Sequence, residues 1–249
     1  MKKLNLIFGI CLLAFSSVVS SQDITPEEIV EKAENSIKGE TSQGTFTMRI
    51  VRPDYTRELT MESWNEGNDK ALIVVKAPPK EAGNKTLKIG NEMWQYLQTT
   101  ETTMKLPASM LLQSWNGSDL TNDDLVRETD LSEDYKVSLM HEEKIAGEMC
   151  WKLELVPNPD VPVVWGKIYY WVRKKDYLPA LVQYYDEAGK LIRSMKFESF
   201  KNMSGRFIPT KWVIVDEQKK GHYTEFIYND VQFDVDIPAR KFSFRELEK

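Results

Sequence analysis

The sequence predicts a mainly β protein with a few helices, built as an antiparallel sheet that curls around an apolar hollow. Three observations point there. From Thr45 to Phe233 apolar residues recur at every second position, the spacing of strands with a buried face. Turn signals at Gly90-Asn91, at Gly147, at 186–189 and at 219–221 break these runs at short intervals, as hairpins do and strand–helix–strand units do not. Several strands are also apolar on both faces: IYYWV at 168–172 has no polar parity, and MWQYL at 93–97 has only Gln95. A sheet with one wet face alternates more cleanly, so the second apolar face is assigned to a lined hollow.

The elements follow in order. TPEEIVEKAENSIK at 25–38 predicts a helix: Thr25 caps, Pro26 takes the first helical position, and Glu27 and Glu28 suit the positive end of the dipole. Ile29, Val30, Ala33 and Ile37 form its apolar stripe, and Gly39 stops it. A meander follows through 45–51, 57–61, 71–78, 86–98 and 103–107. Residues 114–126, SWNGSDLTNDDLV, interrupt it. Asn116-Gly117 is a turn dipeptide, and Thr121 followed by Asp123 and Asp124 marks a helix start. This segment is therefore expected to be a turn and a short capped helix rather than a catalytic loop. The two-residue period returns at 135–157, the Pro-containing stretch 158–166 is expected to be a loop or lid, and hairpins follow at 166–200 and 206–233. The total is roughly ten to twelve strands with two or three helices.

The first residues, MKKLNLIFGICLLAFSSVVSSQD, have the layout of a secretory signal peptide: Lys2 and Lys3, an apolar stretch, then small residues. Cleavage is expected after Ser21, leaving 22–249 as a single domain. Its apolar part is short for a membrane span, and Ile10 just before Cys11 argues against lipoprotein processing. Loss of Lys2 and Lys3 takes the formal net charge from −5 to −7. With no basic block, nucleic acid is not an expected partner. Cys150 would be the only remaining cysteine, so no internal disulfide is expected, and a domain of this size relies on its core.

Little in the chain reads as chemistry. The two histidines, His141 and His222, stand in strand patterns without neighbouring His or Cys, whereas a zinc site needs three or four clustered ligands. Ser118-Asp119 has no base near it in sequence, as a triad requires, and no phosphate-loop or dinucleotide motif occurs. Asp119, Asp123 and Asp124 lack the oxygen-ligand spacing of a calcium loop. Cys150, beside Trp151, reads as a packed thiol. No catalytic residue, metal or cofactor is expected. What the chain has instead is aromatic and methionine content on strands, suited to a flexible apolar ligand. One parity per strand gives the expected cavity lining: Met48, Ile50, Leu59, Met61, Ile73, Val75, Trp94, Tyr96, Leu153, Tyr170, Val182 and Met195. The opposite parity is the alternative, because a one-residue slip inverts every face.

The order of signal peptide, helix and meander, with WNEGNDKALIVVKAPPKEAGNKTLKIGNEMWQYL, SWNGSDLTNDDLV and WVRKKDYLPALVQYYDEAGKLIRSMKFESF, resembles the outer-membrane lipoprotein-sorting proteins of the LolA/LolB-like family. It is most similar to a divergent LolA-like branch whose W-x-G-S-D-[FL]-[ST]-x-[DE]-D-L stretch is met here by Trp115, Gly117, Ser118, Asp119, Leu120, Thr121, Asp123, Asp124 and Leu125. The resemblance covers almost the whole mature chain. It implies a half-open β-barrel with a helical lid, a concave face for acyl chains of lipoproteins or lipids, and a periplasmic monomer. An inner-membrane transporter and an outer-membrane acceptor are its implied partners, and the divergent branch is linked to export pumps. In the better-known branch a buried arginine bonds to the lid; Arg49 and Arg57 are the candidates here. Two other readings remain open: a LolA-like sensor that binds an envelope protein through an exposed aromatic patch, and an enzyme on envelope lipids, which needs His141 or His222 beside a carboxylate and a hydroxyl in one pocket.

Overall fold

A computed structural model describes residues 24–126, 130–159, 161 and 163–249. The signal peptide expected at 1–21 lies outside them. Among the described residues, thirteen strands form one antiparallel sheet. The first meander is β1 (Thr41–Arg52), β2 (Tyr55–Glu66), β3 (Lys70–Ala77), β4 (Lys85–Ile89), β5 (Glu92–Leu97) and β6 (Thr102–Lys105). The second is β7 (Tyr135–Ile145), β8 (Glu148–Pro157), β9 (Lys167–Arg173), β10 (Pro179–Tyr185), β11 (Leu191–Met203), β12 (Arg206–Asp216) and β13 (Tyr223–Phe233). Each strand pairs with its sequence neighbours within its meander, and β1 joins β13, Met48 opposite Phe226. The sheet is curled and does not close, leaving β6 and β7 as edges. The half-open form implied by the resemblance is the one found.

Four α-helices occur among the described residues: α1 (Pro26–Ser36), α2 (Asn122–Val126), α3 (Leu131–Asp134) and α4 (Phe244–Glu248). Helix α1 begins as its sequence dictates. The Glu28 N–H donates to Thr25 Oγ1 (3.2 Å) and the Thr25 N–H to Glu28 Oε2 (3.1 Å), a reciprocal cap. Its stripe Ile29, Val30 and Ala33 is fully buried against Tyr135, Leu153, Ile168 and Tyr170 on the inner face. The turn segment also behaves as read. Asn116 and Gly117 both take positive φ, 50° and 75°, the conformation that makes Asn-Gly a turn pair. Thr121 and Asp124 exchange backbone-to-side-chain bonds at the start of α2, 2.7 and 3.2 Å.

One expectation changes. The second apolar face of β3–β5 does not line the hollow. The chain after β13, through Val235, Ile237, Phe242 and α4, folds across the outer face and packs on Leu72, Leu87 and Tyr96. Trp94 meets Phe244 edge-on at 5.1 Å. On β9 the second face is aromatic for another reason: the Lys152 ammonium lies over the rings of Tyr169 and Trp171 at 4.7 and 4.8 Å, a cation–π contact. Apolar residues of both parities thus serve two covered faces.

Leu247 anchors the tail, fully buried against the outer face. Leu247→Ala should cost roughly 2–5 kcal/mol, read as a lower denaturant midpoint at unchanged slope. A midpoint equal to wild type would show that the tail is not part of the core.

Candidate functional site

The inner face holds a hollow in two adjoining compartments. The larger, about 400 Å³, is walled by Tyr170, Val182 and Met195 on β9–β11, with Trp165 and Tyr184 at its side. The smaller, about 280 Å³, lies over β1, β2 and β13, walled by Phe46, Ile73, Phe226 and Tyr228. The larger falls within the range of small-molecule sites, about 300–1,000 Å³, and the smaller just below it. Trp212, Phe226 and Tyr228 are only half-buried although they sit on the inner face. Burial pushes the phenols of Tyr184 and Tyr228 up to about 12, so both stay neutral and add no charge to the walls. A polar cleft of about 880 Å³ opens from the larger compartment, sharing Glu34, Lys38, Gly67 and Asn68 with it.

A strap crosses this hollow. It is the segment between β6 and β7, and its centre is SWNGSDLTNDDLV. Trp115 turns inward and is fully buried on Met48, Met61 and Val75. Its Nε1–H donates to Thr86 Oγ1 (3.3 Å), and its ring stacks near Phe226 at 6.4 Å. Three arginines hold the strap's oxygens. Arg57 Nη1 donates to the Asn116 carbonyl (2.7 Å), and Arg52 donates to the Gly117 carbonyl and the Asp119 carboxylate (both 2.9 Å). Arg193 on β11 pairs bidentately with Asp124 of α2 at 2.6 and 2.8 Å. Its guanidinium also lies between the rings of Trp165 (4.8 Å) and Tyr184 (4.6 Å). Thr224 Oγ1 adds a donor to Asp119 (2.6 Å).

Burial alone raises the Asp124 carboxyl, but the hydrogen bonds and charge of Arg193 outweigh it and hold it below its ordinary value. Such a lowered acid stabilises the docked strap above the ordinary aspartate range, about 3.9, and loses that contribution as pH falls through the lowered value. Glu34, at the cleft, goes the other way. Burial, with the nearby Asp130 charge, raises it against Lys38. Its contribution is present at low pH and is lost as pH rises through the raised value.

The twelve residues expected to line the cavity fall into three groups. Ile73, Tyr170, Val182 and Met195 border the compartments. Met48, Ile50, Leu59, Met61 and Val75 lie beneath Trp115, and Leu153 lies beneath α1, all buried on the inner face. Trp94 and Tyr96 point the other way. The β4–β5 register sets Trp94 opposite Leu87, on the face under the tail, and Met93 takes the inner side with Val126. Sequence reasoning missed Trp115, Leu125 and Trp212 as walls. The strap motif held the first two, but nothing in its spacing shows that it lies over the hollow.

Of the two arginine candidates, Arg57 reaches the strap. Arg49 is on the outer face, bonded to Glu58 and Glu225 at 3.3 and 3.2 Å. Arg52 and Arg193, not singled out from sequence, carry the more buried contacts. His141 is exposed, 3.5 Å from Glu143. His222 sits in the β12–β13 turn, and neither histidine borders the three cavities. Among the described residues no group of three or more His, Cys, Asp and Glu is placed to hold a metal.

A curled open sheet with a strapped apolar hollow is a LolA-type fold, and the solved structures agree. A DUF1329 family protein from Desulfovibrio piger superposes with a TM-score of 0.80 at 22% identity, covering 89% of this chain and 97% of that one. A putative outer membrane lipoprotein-sorting protein domain from Vibrio parahaemolyticus gives 0.77 at 21%, covering 90% and 98%. A LolA superfamily protein from Nitrosomonas europaea gives 0.73 at 25%, covering 89% and 98%. No curated protein matches. A family model described as "Uncharacterized protein" matches residues 67–249. The chain belongs to that family, a divergent LolA-like one.

Two outcomes are expected. Arg193→Ala leaves Asp124 buried without its partner, which costs roughly 3–5 kcal/mol. Hydrogen exchange should then quicken at 119–126 while β1 and β13 keep their protection; uniform loss across the sheet would show that the pair supports the whole fold rather than the strap. Trp115→Ala should cost about 3–5 kcal/mol in stability and enlarge the smaller compartment, seen as stronger fluorescence of an apolar dye in the folded protein.

Proposed function

We propose that the protein is a periplasmic carrier, exported by a signal peptide at 1–21, whose domain at 22–249 shelters acyl chains of lipoproteins or lipids and passes them toward the outer membrane or an export system. The observation that carries this reading is the hollow itself: two compartments with half-buried aromatic walls beneath the strap. Each methylene moved from water into such a space gains roughly 0.8 kcal/mol, so a chain of about fourteen carbons offers on the order of 10 kcal/mol gross. Ordering costs reduce this, which suits a protein that must also release. The strap is the natural gate. Its grip joins the three arginine contacts to the buried Trp115 and Val126, so an acceptor that competes for the Arg52, Arg57 and Arg193 contacts loosens the strap without unfolding the sheet. The names of the superposing proteins, lipoprotein-sorting and LolA superfamily, support the same reading. A space large enough for hydrocarbon favours a carrier over a sensor that binds a partner through a surface patch alone, and no catalytic step is assigned.

Native mass spectrometry of the protein purified from the periplasm is expected to show a co-purifying lipid or lipidated peptide, and Val182→Glu, which places a carboxylate in the wall, should abolish it. Protein that arrives empty, and stays empty when offered lipid vesicles, would rule the carrier out.

A further inference from the structure

The open sheet has two edges, and they differ. Strand β6 is four residues long and runs into the strap, whereas β7 carries eleven, Tyr135–Ile145. An edge strand turns the N–H and C=O groups of alternate residues away from its one neighbour. Among the described residues, no backbone bond joins 136–145 to any segment but β8. Helix α1 covers the inner face of β7 at Tyr135 and Val137. Past that cover the edge is apolar and exposed, Leu139 by 46% and Met140 by 48%. The register sets Leu139 opposite Leu153 on the inner face and Lys136 opposite Val156, 44% exposed, on the outer. Apolar surface therefore flanks the edge on both sides, and a long uncovered edge of this kind is a template for another strand.

Charge decides the kind of strand. The acids beside the edge are engaged within the chain: Glu142 accepts from Lys174, Glu148 from Lys175, and Glu143 from Trp171 Nε1–H at 2.7 Å. Lys136 and Lys144 are exposed and, among the described residues, have no anionic partner. Lysines along an edge disfavour a second copy of the same edge. The bulge between Leu139 and His141 leaves Met140 without a counterpart on β8, and the bend a bulge imposes suits a flexible segment better than a rigid strand. We propose that β7 is the docking edge for an extended acidic segment of a partner protein. The segment adds to the sheet beyond β7, its carboxylates against Lys136 and Lys144 and an apolar side chain against Leu139 and Met140. Main-chain bonds supply the affinity of such an addition, and alternate side chains supply its specificity. This goes beyond the carrier reading and holds whatever the hollow contains.

The test uses the whole mature chain and three short fluorescent peptides of equal length, kept at concentrations where they are monomeric. One alternates valine with glutamate, one valine with lysine, and one proline with glutamate, which keeps the charge but cannot hold regular strand pairing. Binding is read by fluorescence anisotropy, and its place by hydrogen exchange. The valine–glutamate peptide should bind at least about tenfold more tightly than either of the others, weaken as salt is raised, and slow exchange at 136–145 while 102–105 is unchanged. A chain carrying both Lys136→Glu and Lys144→Glu should prefer the valine–lysine peptide instead. Should that chain fail to fold, Lys136→Gln with Lys144→Gln should remove the preference between the two valine peptides. Equal binding of the proline–glutamate peptide would reduce the contact to charge alone and overturn strand addition. Protection at 102–105 instead of 136–145 would overturn the choice of edge. A wild-type dimer that protects 136–145 without peptide would give the edge to a second copy and overturn the acidic partner.

Discussion

An open antiparallel sheet has two faces, and any apolar stretch of either must be kept from water by something other than the sheet. This constraint organises the protein. Thirteen strands curl but stop short of closing, so the covering comes from the segments between and beyond the strands. The N-terminal helix lies on the inner face of β7–β9, the strap crosses over β1–β3, and the C-terminal tail wraps the outer face of β2–β5. On β9 the ammonium groups of Lys152 and Lys167 lie over the outer-face ring of Tyr169. The hollow is the part of the inner face that these covers enclose without filling.

The strap shows how a loop can lie across an apolar surface. Backbone carbonyls placed there need donors, since an unmet buried carbonyl is costly. Arg52, Arg57 and Arg193 reach over the rim of the sheet to supply them, and charge-assisted bonds of this kind are about twice as strong as neutral ones. The one large apolar anchor, Trp115, buries its ring and still finds Thr86 for its N–H. The strap is thus held by buried apolar groups at Trp115 and Val126 and by polar contacts at Asn116, Gly117, Asp119 and Asp124 around them.

Much of the architecture was legible in the chain. The hairpin turns fell where Gly90, Gly147 and Gly189 stand, α1 began with the expected cap, and Asn116-Gly117 turned as that dipeptide does. These are local matters of backbone preference and side-chain period, and neighbouring residues suffice to settle them. The faces were legible only in part. For β1, β2, β3, β8 and β9–β11 the chosen parity is the inner one, but for β5 it is the outer, because the more apolar parity of MWQYL, Trp94 and Tyr96, is the one the tail covers, while Gln95 shares the parity of the inward Met93. The register with β4 and the cover supplied by residues 145 or more positions away, as in the Thr103–Glu248 contact, decide it.

The site was harder still. The sequence by itself settled the strand periodicity, the turns and the first helix, since each depends on residue type and short-range spacing. Folding alone determined that the outer apolar parity of β3–β5 belongs to the C-terminal tail, that Arg193 rather than Arg49 faces the strap, and that Trp212 borders both compartments. Each of these joins positions far apart in the chain, such as Asp124 and Arg193 or Trp94 and Phe244, and no local pattern encodes a distance between residues that meet only when the chain folds.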